Sequence, residues 1–94
     1  MHYLLVKHKV ADFVQWKRVF EENGGAARQG GLELLHVFRD LAEPNLVFVL
    51  CKVTDLKKAK AFTESGGDSA KRGGVIGTPE GWWLSEEPQV TWGA

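Results

Sequence analysis

Residues 46–53, Leu-Val-Phe-Val-Leu-Cys-Lys-Val, leave little freedom in what this chain can become. The run has the length of a strand, follows the turn pair Pro44-Asn45, and is followed by Asp55, a helix-capping residue. A strand with one wet face alternates apolar and polar side chains. Here Val47, Val49 and Cys51 are as apolar as Leu46, Phe48 and Leu50. Both faces of the sheet that holds this strand must therefore be covered.

The rest of the chain supplies that sheet and one cover. Residues 2–10 alternate as a first strand, with His2, Leu4, Val6, His8 and Val10 on one face and Tyr3, Leu5, Lys7 and Lys9 on the other. Asp12 followed by Gln15 gives a capping-box start to a first helix, whose apolar stripe is Phe13, Trp16, Val19 and Phe20. Asn23-Gly24-Gly25 either ends this helix or lets it resume weakly through Ala26, Ala27 and Arg28, and Gly30-Gly31 stops it. Residues 32–39 read as a second strand, hairpin-paired to the third at 46–53. In it Leu35 and Val37 lie opposite Leu34, His36 and Phe38. Asp55 caps a second helix with the stripe Leu56, Ala59 and Phe62, and Asp68 caps one further turn before Gly73-Gly74. Residues 80–85, after Pro79, read as a fourth strand presenting Trp82 to one face and Trp83 to the other.

Strand, helix, strand, strand, helix, strand predicts an α+β, ferredoxin-like βαββαβ fold. The expected sheet is four-stranded and antiparallel, in the order 4-1-3-2, with both helices on one face. With 94 residues there is room for one domain, residues 1–87, and a tail, 88–94, that carries Trp92. Two helices cover one face only. The economical cover for the other is a second copy packed sheet to sheet, so the chain is expected to be a homodimer.

Composition removes several classes of function. Twelve basic and twelve acidic residues cancel, which leaves no net field for a phosphate backbone, so nucleic acid is not an expected partner. The cluster Lys57, Lys58, Lys60, Lys71 and Arg72 reads as the wet side of a helix. No apolar run approaches the roughly 20 residues that span a bilayer, and the N-terminal residues carry charge too early for a signal peptide, so no membrane partner is expected. Cys51 is the sole cysteine and cannot staple its own chain, which favours a reducing cytoplasm.

Val10-Ala11-Asp12-Phe13 followed by Trp16-Lys17 and Phe20 resembles the small prokaryotic proteins of the dimeric α/β-barrel superfamily, commonly grouped as antibiotic-biosynthesis-monooxygenase-like. Leu32 with His36-Val37-Phe38-Arg39-Asp40, Pro44-Asn45, Asp55-Leu56, Lys58-Ala59 and Ala61-Phe62 extend the resemblance to about Ser85. It implies a dimeric barrel and, for function, a range from quinone-forming monooxygenases to haem-degrading enzymes, isomerases and cyclases. The haem-degrading members set an Asn, a Trp and a His around their pocket. No Asn stands on the first strand here, and no catalytic triad is carried over.

The catalytic candidates are His8 and His36, each an imidazole in an otherwise apolar strand. With one strand between theirs they are expected roughly 10 Å apart, given a strand spacing of about 4.8 Å. That is too far for one metal ion and suits two ends of a small organic ligand. The plainer reading is that each is satisfied in the core or at an interface. Trp16, Phe20, His36 and Trp82 are the candidate ligand-binding residues, against plain core packing for Trp16 and Phe20. No phosphate loop, Ser-His-Asp set or metal cluster can be argued, so no cofactor and no metal is expected. Three functions follow: a cofactor-independent oxygenase acting on a flat aromatic or quinol-like molecule, a binder of a small aromatic ligand without turnover, and a purely structural homodimer. The oxygenase is placed first.

Overall fold

The computed structural model describes residues 1–65 and 72–93. Its elements are β1 (His2–Val10), α1 (Phe13–Glu22), α2 (Gly24–Gln29), β2 (Leu32–Arg39), β3 (Leu46–Val53), α3 (Leu56–Glu64) and β4 (Val75–Ser85). The strands pair antiparallel in the order β2-β3-β1-β4, as the βαββαβ reading requires. The further turn expected at Asp68 lies outside the described residues.

Both main helices start on an aspartate. Asp12 Oδ1 accepts from the amides of Val14 and Gln15 at 2.9 and 3.3 Å, and Asp55 Oδ1 accepts from Lys58 at 3.1 Å. The reciprocal half of the expected capping box is not formed. The Gln15 amide instead donates to the Arg72 carbonyl at 2.9 Å and ties α1 to the segment entering β4. At Asn23 the chain takes the second of its two options: α2 follows α1 at once and ends at Gly30. Gly31, at φ +87, then turns the chain into β2, and its carbonyl accepts from Thr54 at 2.8 Å. A Cβ there would stand 2.7 Å from the Asp55 carbonyl oxygen, so the turn and the cap of α3 fit only around a glycine.

The core lies between the sheet and the helices. Leu4 and Val10 of β1, Val47, Val49, Cys51 and Val53 of β3, and Leu32 of β2 meet Trp16 and Ala59, with Phe13, Phe20 and Phe62 packed against them. Leu56 is more exposed than its place in the α3 stripe suggests, at 37%. It stands in the first turn of α3, at the margin of the sheet.

Two bulges depart from the simple alternation. In β2, Leu34 pairs with Cys51 but His36 pairs with Leu50, so Leu35 and His36 share one step of β3. Leu32 and Leu34 therefore face the helices, and beyond the bulge Val37 and Arg39 do. His36 and Phe38 turn to the other face, opposite Leu50 and Phe48. Placing His36 and Leu34 on one face was thus incorrect. In β4 the strand starts at Val75, earlier than residue 80, because Pro79 is tolerated on an edge strand. Lys7 pairs with Glu80 and Lys9 with Ile76, so Gly77, Thr78 and Pro79 bow out opposite His8, with Gly77 at φ +73.

The face of the sheet away from the helices is largely apolar. One row crosses all four strands as His36, Leu50, Leu5 and Trp82. Phe38 and Phe48 lie on one side of it, Tyr3 and Leu84 on the other. Phe38 is 50% exposed and Trp82 42%. Lys7 is paired across the strands with Glu80, and Lys52 with Glu33. Residues 86–93 continue without strand or helix, and Tyr3 donates to Glu86 Oε1 at 2.6 Å where they leave the sheet.

Candidate active site

α1 packs on the sheet through its buried residues Trp16 and Val19. Trp16 is its anchor, and the ring stacks on Phe20 at 4.8 Å with an interplanar angle of 19°. The indole also meets Phe13 at 5.6 Å and the His8 imidazole at 5.3 Å, tilted by 56°. Such offset and tilted pairs are the favoured arrangements of aromatic rings. The helices and the sheet do not fill the space between them. They leave a half-open cavity of about 990 Å³, within the ordinary range of small-molecule sites.

The depth of this cavity is apolar: Leu4, Val6 and Val49 from the sheet, Trp16, Phe20 and Phe62 from the helices. The ionic side chains on its wall, Glu21 and Arg28, are exposed and belong to the rim, while Glu33 borders it from β2 with its side chain on the other face, opposite Lys52. Glu21 is already paired with Lys17 at 3.3 Å. His8 is different. It lines the cavity half-buried, and its Nε2 is buried without a hydrogen-bond partner. Burial disfavours the charged imidazolium and lowers the His8 pKa from its ordinary value, so the ring is neutral at pH 7. Cys51 also touches the cavity. Burial pushes its thiol up to about 11, which makes it a poor nucleophile at neutral pH.

The structure brings together three of the residues read from sequence, His8, Trp16 and Phe20. It does not bring His36 or Trp82 to them. His36 stands on the opposite face, in ring contact with Phe38 at 5.5 Å, and Trp82 is on that same face through its pairing with Leu5. The two histidines therefore cannot hold two ends of one ligand in this cavity. The bulge at Leu35 is the cause, because it reverses the alternation of β2. Arg39 and Asp40 serve the local chain. The Arg39 guanidinium lies 3.9 Å from the Phe13 ring centre and its Nε donates to the Pro44 carbonyl, while Asp40 accepts from Ala42 and Glu43. Sequence reasoning missed Phe62 and the rim residue Arg28. They meet only because α2 packs near the start of β2. Among the described residues no three His, Cys, Asp or Glu side chains gather as a metal site. No helix there is long and apolar enough to cross a membrane.

Similar folds are found among small bacterial proteins. A candidate antibiotic biosynthesis monooxygenase from Bordetella bronchiseptica superposes with a TM-score of 0.76 at 8% identity, covering 92% of this chain and 96% of that one. A cofactor-independent oxygenase from Streptomyces nogalater superposes with a TM-score of 0.69 at 18% identity, covering 97% and 95%. A further candidate monooxygenase, from Deinococcus radiodurans, matches over the full length of both chains at 15% identity and a TM-score of 0.68. No protein-family model matches the sequence, and no curated protein matches it. The resemblance read from sequence thus holds at the level of fold.

The environment of His8 makes a prediction about stability. Its folded pKa lies below the unfolded value of about 6.5. As pH falls from about 6.5 toward that lower value, the unfolded chain binds a proton that the native chain does not, so the native state loses stability. His8→Phe removes this contribution. Urea unfolding of the variant between pH 7 and pH 5 is expected to show a smaller loss of stability than the parent. An equal loss in both would contradict the assigned environment.

Proposed function

We propose that the chain is a cofactor-independent, monooxygenase-like enzyme that takes a flat aromatic or quinol-like molecule into the cavity between α1 and the sheet. The carrying observation is the cavity itself, apolar at depth, walled by the stacked Trp16 and Phe20 and holding the neutral imidazole of His8. A neutral imidazole near its working pH is suited to general-base work on a phenol. The reaction that fits takes a phenol and O₂ to a quinone and water. One oxygen atom enters the ring, the other leaves as water, and the substrate supplies the electrons. The likeness in fold to an oxygenase described as cofactor-independent supports this reading. Two observations favour a second one, binding without turnover. No described residue is hydrogen-bonded to Nε2 to orient the ring, as an activated base would need, and Cys51 is no nucleophile.

A test that separates them is incubation with 1-naphthol under ¹⁸O₂, with mass spectrometry of the product. Turnover predicts 1,4-naphthoquinone carrying one labelled oxygen, formed faster than without protein. His8→Ala is expected to slow it by about a hundredfold, the low end for loss of a general base. Saturable binding with no labelled product assigns the binder. An unchanged rate in His8→Ala removes His8 from the chemistry.

The working unit in this reading is a homodimer closed through the other face of the sheet. The row His36, Leu50, Leu5 and Trp82, flanked by Phe38 and Phe48, is too large an apolar surface for a monomer to leave in water. Cross-strand pairing of its lysines with glutamates leaves little net charge to oppose a second copy. In such a dimer Trp82 and His36 serve the interface. In this reading the protein works in a reducing cytoplasm, which the sole, unpaired Cys51 supports. Sedimentation velocity at micromolar concentration is expected to give a dimer, and Phe38→Glu a monomer with an unchanged circular dichroism spectrum. A parent protein that sediments as a monomer contradicts the interface.

A further inference from the structure

The charges of the cavity are arranged in a way that limits what can enter it. Glu21 and Arg28, the ionic side chains on the wall, are both exposed at the rim. The rest of the lining is hydrocarbon, aromatic ring and a buried thiol, with Asn23, Thr54, Thr63 and His8 as its uncharged polar side chains, and His8 alone of these has a buried nitrogen with no hydrogen-bond partner. A carboxylate carried below the rim would lose its hydration and find no cation. A neutral group that can both give and take a hydrogen bond would find the ring edge of His8, where a buried nitrogen has no partner. A neutral imidazole offers one donor and one acceptor, so a hydroxyl matches it in either tautomer. The fold keeps this edge unclaimed. The β1–β4 ladder breaks at His8, where Gly77, Thr78 and Pro79 bow away, and Val47 is its partner on β3.

We propose that His8 makes this cavity selective for uncharged aromatic molecules bearing a hydroxyl at the buried end, and that it excludes the same ring systems when they carry a carboxylate there. This deepens the small-molecule reading of the cavity and rests on it. Turnover is not required: the selection holds for a binder as for an enzyme.

Three probes of one ring system test it at pH 7.5, by fluorescence or calorimetric titration: 2-naphthol, 2-methylnaphthalene and 2-naphthoate. The readout is the ratio of the naphthol and methylnaphthalene affinities, in the parent and in His8→Phe. One hydrogen bond to a buried partner is expected to shift that ratio about tenfold toward naphthol in the parent relative to the variant. His8→Gln, which keeps donor and acceptor, should retain most of it. Binding of 2-naphthoate should be at least tenfold weaker than that of 2-naphthol. An independent reading needs no variant: the ¹⁵N shifts of the His8 ring should move on addition of 2-naphthol and stay in place with 2-methylnaphthalene. Equal ratios in parent and His8→Phe, or still ring shifts, overturn the role of His8 while leaving the cavity as a binding site. Tighter binding of 2-naphthoate than 2-naphthol overturns the charge selection and points to Arg28. Binding of none of the three overturns the small-molecule reading itself.

Discussion

Trp16 seats α1 on the sheet, and the rest of the molecule depends on how it does so. The side chain is 4% exposed and touches Phe13, Phe20 and His8, so one residue joins the helix stripe to the first strand. Truncating a buried ring of this size typically costs about 3–5 kcal/mol, a large fraction of what a domain this small can muster. The same ring forms part of the wall of the cavity between α1 and the sheet. One residue thus serves both the core and the candidate site.

The sheet has two apolar faces with different fates. One is covered within the chain by Trp16, Val19 and Ala59, with Phe62 packed alongside. The other presents Phe38, Phe48, Leu50 and Trp82. Bulges decide which side chains go to which face. The one in β2 sends His36 outward, and the one in β4 opens the ladder beside His8. A bulge adds one residue or two and reverses or releases everything beyond it, so small local changes sort two similar histidines onto different faces of the sheet.

Much of the fold was legible in the sequence. The apolar run 46–53 announced a central strand, and β3 does lie inside the sheet. Aspartates 12 and 55 marked the helix starts, and the period of Phe13, Trp16 and Val19 marked the buried stripe. The placement of Trp82 and Trp83 on opposite faces followed from alternation alone. What failed was alternation carried through a bulge. Nothing in Leu34-Leu35-His36 says that one residue is to be skipped, because every residue there is acceptable on either face. Pro79 read as a strand boundary, yet an edge strand has an outer side where a missing donor costs nothing. Of the site, Trp16, Phe20 and His8 were found from periodicity and from one polar residue in an apolar strand. Phe62 and Arg28 were not, since they reach the cavity only through the tertiary packing of α2 and α3.

The central claim is that the space under α1, and not the outer face of the sheet, receives an aromatic ligand. Isotope-filtered nuclear Overhauser measurements on labelled protein with unlabelled 2-naphthol test it most directly. The account predicts contacts from the naphthol ring to Trp16, Phe20 and His8, and none to Trp82 or Phe38. Contacts confined to Trp82, Phe38 and Phe48 would contradict it and move the binding surface to the other side of the sheet.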